Sequence, residues 1–304
     1  MNSSSEQIAG GPPLLSAVVV TYQPDESLLS NLRKLSGQVA EIIVVDNGSE
    51  GASARWVESA GTMPGVSLIR NGSNLGIAAA LNIGVRRALQ LGRPWVATLD
   101  QDSTVPDQYF EQLFQAYRMY PISTKIGMIV PGGWGASLAK KTTPSPNGSF
   151  VSGAVTSGSL IKGEMFLKTG FFDEALFIDY VDTDFCLRVR KDGFKILSVG
   201  SVFLQHELGE KQVRRLFGFG ISFRVHAAWR YYYIVRNRLV LYRRYWLNSP
   251  LWFLHDSGWL LLELGRIVCL ENGRGPKLRA VLSGIKDGLR GKTGRHPSFP
   301  PNHK

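Results

Sequence analysis

Cysteine is almost missing from this chain of 304 residues: there are two, Cys186 and Cys269, far apart and each in an apolar setting. That excludes a disulfide framework and a cysteine zinc site, and a reducing compartment is the natural expectation. Long apolar runs are missing too. The most apolar stretch, Trp259 to Leu264, is short and flanked or broken by Asp256, Glu263 and Arg266, which is too little to span a bilayer. Residues 1–12 carry no basic start and no apolar run of the signal-peptide kind. They are polar and Ser-rich, and are expected to be disordered. No internal repeat and no clean linker divides the chain. Hydrophobic residues make up 44%, enough for a sizeable core in one large domain or a domain with an appendage.

Charge is present but unevenly placed. Residues 1–200 hold 17 Lys+Arg and 18 Asp+Glu, a net of −1, whereas residues 201–304 hold 18 and 6, a net of +12. The last third is a basic module that also carries Trp246, Trp252, Phe253 and Trp259. Nucleic acid, anionic lipid and phosphorylated substrates are all candidate partners for such a segment. Basic residues mixed with Trp and Leu at helical spacing suit a helix lying on an anionic membrane surface. A helix packed on the preceding domain with a solvated basic face is the competing expectation.

Strands and helices alternate through the first hundred residues. Leu14–Thr21 is an unbroken apolar run of strand length, as expected of a strand covered on both faces. A helix with Leu28, Leu29, Leu32 and Leu35 on one face follows, then strands at 41–45 and 66–70, a helix at 77–91 and a strand at 95–99. This order predicts an α/β fold with a mostly parallel sheet. Further helices are expected at 109–119 and 181–191, and a mobile Gly/Pro/Ser/Lys loop at 132–148. Strands are expected at 195–199 and 202–204, and helix from Ser222 onward. The expected division is 13–221 catalytic and 222–304 a basic helical extension.

Asp100-Gln101-Asp102 ends the strand Trp95–Leu99. Paired carboxylates at a strand tip suit Mg²⁺ or Mn²⁺, which prefer oxygen and leave much of their shell to substrate phosphate. Open α/β sheets bind ligands at that end. A solvated turn or a helix cap would also account for the pair alone. Asp46 ends the second strand in VVDNGS, where a carboxylate can accept from a pyrimidine N3–H or a ribose hydroxyl, while Asn47 and Ser49 could simply cap the next helix. The turn Arg70–Gly76 presents backbone N–H groups at a helix start. FIDYVDTDFCLR concentrates Asp179, Asp182 and Asp184 where a helix begins. Capping and the helix dipole favour acids there, but Asp182 and Asp184 cannot both cap, and a surplus carboxylate can be a general base. His206 follows a strand and is either structural or a second metal ligand.

Taken together, TYQP, VVDNGS, N-x-G, LDQDS, SGSLI, GFFDEALFIDYVDTDFCLR and the late QH resemble family 2 inverting glycosyltransferases with the GT-A fold. LDQDS, FIDYVDTDFCLR, RYYYIVRN and DGLRGKTG resemble bacterial rhamnosyltransferases in particular, and the likeness runs through residues 14–294. The resemblance implies a Rossmann-like nucleotide-sugar-binding sheet with a helical C-terminal extension. It implies that Thr21, Tyr22, Asp46, Asn74, Gly76, Asp100 and Gln101 bind the donor. Asp102 and His206 would hold the metal, Mg²⁺ or Mn²⁺, and Gly158 and Ser159 would form the acceptor side. The usual Glu-Asp of the acidic motif is Val181-Asp182 here, which makes Asp182 the matching base and Asp184 the second choice. The implied donor is dTDP-L-rhamnose, with a UDP-sugar as alternative. The implied acceptor is a lipid-linked saccharide of surface polysaccharide or O-antigen, or a rhamnolipid. The implied place is the cytoplasmic face of the membrane. A non-catalytic nucleotide-binding module would need Asp46 and Asp102 but neither Asp182 nor His206. A nucleic-acid-binding protein would use the Arg/Tyr-rich 230–244, and the apolar content of that segment argues against it.

Overall fold

The computed structural model describes residues 14–134, 148–206, 211–216 and 219–300. The expected disorder at 1–12 and most of the expected loop at 132–148 lie outside those residues. The elements follow in the order β1 (Leu15–Thr21), α1 (Ser27–Leu35), β2 (Glu41–Asp46), α2 (Ala52–Gly61), β3 (Val66–Arg70), α3 (Ile77–Gln90), β4 (Trp95–Asp100) and β5 (Ser103–Thr104). Then come α4 (Tyr109–Arg118), β6 (Ile126–Trp134), β7 (Ser149–Val151), β8 (Ser159–Lys162), α5 (Gly163–Lys168), α6 (Val181–Lys191) and β9 (Lys195–His206). The chain closes with β10 (Lys211–Leu216), β11 (Phe219–Arg224), α7 (Ala228–Tyr245), α8 (Pro250–Cys269) and α9 (Arg274–Leu289).

The central sheet runs β3-β2-β1-β4-β8-β6-β9-β5, with β7 also paired to β9. Its first four strands are parallel. The strands β5, β7 and β8 enter antiparallel, which makes the sheet mixed. All seven residues of β1 are buried, and its side chains alternate between two cores. Leu15, Ala17 and Val19 pack with α1 and α4, while Val18 and Val20 pack with α3, α5 and α6. A strand sandwiched in this way has no solvated face, which accounts for the unbroken apolar run.

Two expectations need revision. The helix expected from Ser222 starts at Ala228, and Phe219–Arg224 is instead a strand paired antiparallel with Lys211–Leu216. Phe219, Ile221 and Phe223 alternate with period two, a strand signal masked by the helical pattern that follows. The strands expected at 195–199 and 202–204 are one twelve-residue strand, β9, extending to His206.

The last three helices are not an isolated appendage. Val240, Leu241 and Tyr245 of α7 enter the core beneath α3 and α6. Tyr231, Tyr232, Tyr233 and Val235 form a third core with Phe177, Ile267 of α8, and Ala280 and Val281 of α9. Two glycines of α9 let it lie directly on the α7 backbone. A Cβ at Gly284 would stand 2.7 Å from the Tyr232 carbonyl oxygen, and one at Gly288 would stand 2.9 Å from that of Arg236.

Candidate active site

Strand register brings the first acids together. At the end of β1, Thr21 pairs with Asp46 of β2 on one side, and Val20 pairs with Asp100 of β4 on the other. Asp46, Tyr22 and Asp100 therefore share one rim at the carboxyl ends of parallel strands. Asp46 is buried, and its Oδ1 accepts from the Thr21 hydroxyl at 3.0 Å and from the Ser49 hydroxyl at 2.5 Å. Its Oδ2 accepts from the Ser49 amide at 3.0 Å. Ser49 thus folds back onto Asp46 and does not cap α2, whose N-cap is Gly51. Three donors from two residues around one carboxylate hold it in place as an acceptor.

Asn47 ties this rim to the next turn. Its Nδ2 donates to Asn74 Oδ1 at 3.1 Å, and its Oδ1 accepts from Asn71 Nδ2 at 3.1 Å and from the Leu75 amide at 3.0 Å. Asn74 Oδ1 also accepts from the Gly76 amide at 3.0 Å. Two glycines are needed here. Gly48 has φ +89°, and a Cβ on it would lie 2.7 Å from the Ser73 Cα. Gly76 has φ +90°, and a Cβ would lie 2.6 Å from both the ring and the carbonyl oxygen of Phe177. The 71–76 turn is thereby pressed against the segment that carries the acidic motif.

Gln101 receives the Tyr22 amide on its Oε1 at 2.8 Å, and its own carbonyl accepts from Asn31 Nδ2 at 3.0 Å. The Asp100 amide donates to Ser157 Oγ at 3.0 Å. The turn through Asp102 leads into β5, where Ser103 pairs with His206 of β9, so the backbones of Asp102 and His206 are close neighbours. Among the described residues, no group of three or more His, Cys, Asp or Glu side chains is gathered to hold a metal by itself. The donor types of Asp100 and Asp102 do fit a hard divalent ion that leaves several positions to substrate phosphate oxygens. Gly158 and Ser159 are buried beside β4. The Gly158 carbonyl accepts from the Tyr109 hydroxyl at 2.7 Å, and the Ser159 hydroxyl donates to the Val155 carbonyl at 2.7 Å.

The two acids of the helix α6 start have different surroundings. Asp184 is 1% exposed and accepts from Arg188 Nε at 2.8 Å, the Tyr245 hydroxyl at 2.7 Å and Arg244 Nη1 at 3.4 Å. Asp182 accepts at Oδ1 from the Thr183 amide at 2.7 Å and the Thr183 hydroxyl at 3.4 Å. Burial pushes the Asp182 carboxyl up to about 6, and the neighbouring Asp179 charge adds to the rise. Neither acid is the N-cap; Tyr180 occupies that position in left-handed backbone.

Residues outside the sequence-based set surround these acids. Arg230 of α7 grips Asp179, with Nη2 at 2.8 Å and Nε at 3.1 Å from its carboxylate. The Asp179 charge holds the Arg230 guanidinium above its usual range, with Asp100 and Asp182 contributing. Tyr180 donates to Asp256 of α8 at 3.0 Å. Arg230 lies in the RYYYIVRN segment and Tyr180 in FIDYVDTDFCLR, while no motif marked Asp256.

A mixed sheet flanked by helices, with acids at the carboxyl ends of its parallel strands, is the architecture of a GT-A glycosyltransferase. Residues 16–171 match the model of glycosyl transferase family 2, just over half the chain, and the protein belongs to that family. The dTDP-rhamnosyl transferase RfbF of Shigella flexneri is 28% identical over 298 residues, covering 91% of this chain and 96% of that protein. The low-salt glycan biosynthesis hexosyltransferase Agl10 of Haloferax volcanii is 22% identical over 302 residues, covering 92% of each. Among solved structures, residues 1–349 of S. aureus TarS give a TM-score of 0.57 at 13% identity, over 90% of this chain and 80% of that one. The mannosyltransferase PcManGT of Pyrobaculum calidifontis, in complex with GDP-Man and Mn²⁺, gives 0.55 at 14% identity, over 93% and 89%. At these identities the two structures speak for the fold alone. The chain is a glycosyltransferase, and a nucleotide-sugar donor and an acceptor are its substrates.

Proposed function

We propose that this enzyme moves L-rhamnose from dTDP-L-rhamnose to a hydroxyl of a saccharide or lipid-linked acceptor, with inversion, in surface-polysaccharide, O-antigen or rhamnolipid synthesis. The observation that carries the mechanism is the contrast between Asp182 and Asp184. Asp184 has both oxygens engaged by Arg188, Tyr245 and Arg244, whereas Asp182 takes hydrogen bonds from its own helix turn, at Oδ1 from Thr183, and meets no cation at ion-pair distance among the described residues. A carboxyl pushed up to about 6 is ionised at neutral pH yet more basic than an ordinary one, which suits a general base.

In this reading the acceptor oxygen attacks the anomeric carbon from the face opposite the diphosphate. Asp182 takes the hydroxyl proton as the new C–O bond forms. The nucleoside diphosphate leaves with the electron pair of the bond that breaks. A single displacement inverts the centre and needs no covalent enzyme intermediate. Asp46, kept an acceptor by Thr21 and Ser49, receives the thymine N3–H. Tyr22, Asn74, Gly76 and Gln101 border the nucleoside, and Asp100 faces the ribose. Gly158 and Ser159 floor the acceptor side. Asp102 and His206 would hold Mg²⁺ or Mn²⁺, which when bound neutralises charge on the departing diphosphate.

The rhamnosyl donor rests on the likeness to RfbF, which spans nearly the whole of both chains. Calorimetric binding of dTDP-L-rhamnose, UDP-glucose, UDP-galactose, UDP-GlcNAc and GDP-mannose, with and without Mg²⁺, tests it. Metal-dependent preference for dTDP-L-rhamnose is the expected result. Preference for a UDP-sugar would replace the donor and leave the mechanism in place.

The reading includes peripheral attachment to the cytoplasmic face of the plasma membrane. No helix among the described residues is long and apolar enough to cross a membrane. Support for attachment comes from α8, which turns its charged residues Asp256, Glu263 and Arg266 inward. It leaves Leu251, Leu254, Trp259, Leu261 and Leu262 more than half exposed, as an uncharged outer face. Such a face suits the boundary between headgroups and acyl chains, and basic neighbours such as Arg243 and Arg290 suit anionic lipid. Flotation with anionic vesicles, reduced by Leu251→Ser/Leu261→Ser, is expected. Equal recovery without lipid for both proteins would remove this part of the reading.

A further inference from the structure

Two segments that carried the rhamnosyltransferase resemblance, RYYYIVRN (230–237) and DGLRGKTG (287–294), have no part in the chemistry above. They meet around one turn. The chain from Leu176 to Tyr180 leads into α6 and contains three non-glycine residues in left-handed backbone: Phe177 at φ 67°, Asp179 at φ 59° and Tyr180 at φ 64°. Each is uphill for a residue with a Cβ, and such conformations persist only where their surroundings impose them.

Asn237 supplies the constraint. It is fully buried on α7, and its Nδ2 donates to the carbonyls of Leu176 at 2.9 Å, Ile178 at 2.6 Å and Asp179 at 2.9 Å. The two N–H bonds of one amide thus reach three carbonyls of a four-residue stretch, one hydrogen being shared between two of them. Arg236 orients that amide: its Nε donates to Asn237 Oδ1 at 2.9 Å, and its Nη2 donates to the Leu176 carbonyl at 2.8 Å. Arg236 Nη1 donates to the carbonyl of Gly294, and the Gly294 amide returns to the Ala175 carbonyl at 2.6 Å. The far side of the turn is tied to the donor side. The Phe177 carbonyl accepts from the Ile77 amide at 2.8 Å, and its ring stacks on Tyr233 at 5.3 Å.

We infer that Asn237, oriented by Arg236 and the Gly294 carbonyl, is a positioning residue that holds turn 176–180 in its left-handed shape and so aims Asp182 at the acceptor. This rests on Asp182 being the base. It gives the two C-terminal segments one shared task. Asn237 reaches no substrate; it acts through the turn.

The test uses the full chain with Asn237→Ala and Asn237→Asp, the second keeping the volume and replacing the amide donor by an acceptor. A loss of about 100-fold in kcat is expected, the scale of a displaced reacting group. Donor affinity should stay within about threefold, because the Asp46 rim is untouched. The acidic limb of kcat against pH should move below 6 as Asp182 gains water, which a merely destabilised fold would not produce. Folded variants with kcat within about twofold of the parent and an unmoved limb would overturn the proposal. Should both variants fail to fold, hydrogen exchange on the unsubstituted protein decides. The amides of Phe177, Ile178 and Asp184 should exchange as slowly as those of α7, and free exchange there would overturn it. The two readings separate cleanly. If Asp182→Asn keeps its turnover while Asn237→Ala deprotects 176–184, the base assignment fails and the constraint stands. The reverse pattern, Asp182→Asn inactive and Asn237→Ala unaffected, rejects the constraint alone.

Discussion

At the residue scale, Asp182 links stability to chemistry. Its carboxyl lies above the ordinary carboxylate value in the folded protein, so folding favours its protonated form. The stability it contributes is complete below about pH 4 and is lost as pH rises through about 6. Asp182→Asn should therefore unfold at a higher temperature than the parent at pH 8, with the gap closing toward pH 4, while it abolishes transfer and spares donor binding. Differential scanning calorimetry across that range and a turnover assay check both halves. A second effect follows from Arg230. Arg230→Gln leaves the Asp179 charge uncompensated beside Asp182, so the acidic limb of the rate profile should move upward, opposite to the shift expected for Asn237 variants. The sequence brought both Asp182 and Asp184 to the start of one helix and ranked Asp182 first only through the family resemblance, with no physical difference between the two. What distinguishes them is Tyr245 and Arg244, some sixty residues downstream, and no local pattern carries that information.

At the scale of elements, the parallel half of the sheet was legible almost to the residue, because each strand there is short, apolar and bounded by turn chemistry. The β10–β11 hairpin was not. Its alternation of Phe219, Ile221 and Phe223 occupies only five positions, and a strong helical pattern begins directly after it. Turn 176–180 was invisible for a different reason: none of its left-handed residues is glycine, so composition gives no sign of its backbone. The contact of α7 with α9 offers a sharp check. Gly284→Val would drive a side chain into the Tyr232 carbonyl, and overpacking of this kind costs about 1–3 kcal/mol. A lowered Tm with a matching loss of hydrogen-exchange protection in α7 is expected. Gly48→Ala should lower Tm as well, through its positive φ and the Ser73 backbone, and in addition weaken donor binding, since it forces the 46–49 and 71–76 turns apart.

For the whole molecule, the charge imbalance read from the sequence has an internal use. Arg230 pairs with Asp179, and Arg244 with Asp173 and Asp184, so cations of the basic third neutralise acids of the first two-thirds. Arg238 lies between Asp256 and Glu263 at 2.9 Å from each, and Lys277 meets the buried Glu271 at 2.6 Å. The +12 counted for the last third alone thus overstates its free cationic charge, because Arg230 and Arg244 are paired with acids of the first two-thirds. It also follows that the C-terminal helices contact the acidic segment directly, through Arg230 on Asp179 and Arg244 on Asp184. A chain ending at residue 227 should retain no transfer activity even if its sheet assembles, and donor calorimetry alongside an activity assay would show it.

The connection from Gly294 through Arg236 to Leu176 also has a consequence for the order of synthesis. A ribosome releases this protein from its N-terminus, and folding can begin on the portion already made. The strands bearing Asp46 and Asp100 emerge early, but Gly294, whose carbonyl steadies Arg236, lies far downstream of both. The nascent chain would be able to grasp a sugar nucleotide well before it could use one. Activation of the acceptor would wait until Gly294 has emerged, so that a product terminated before it binds donor without consuming it.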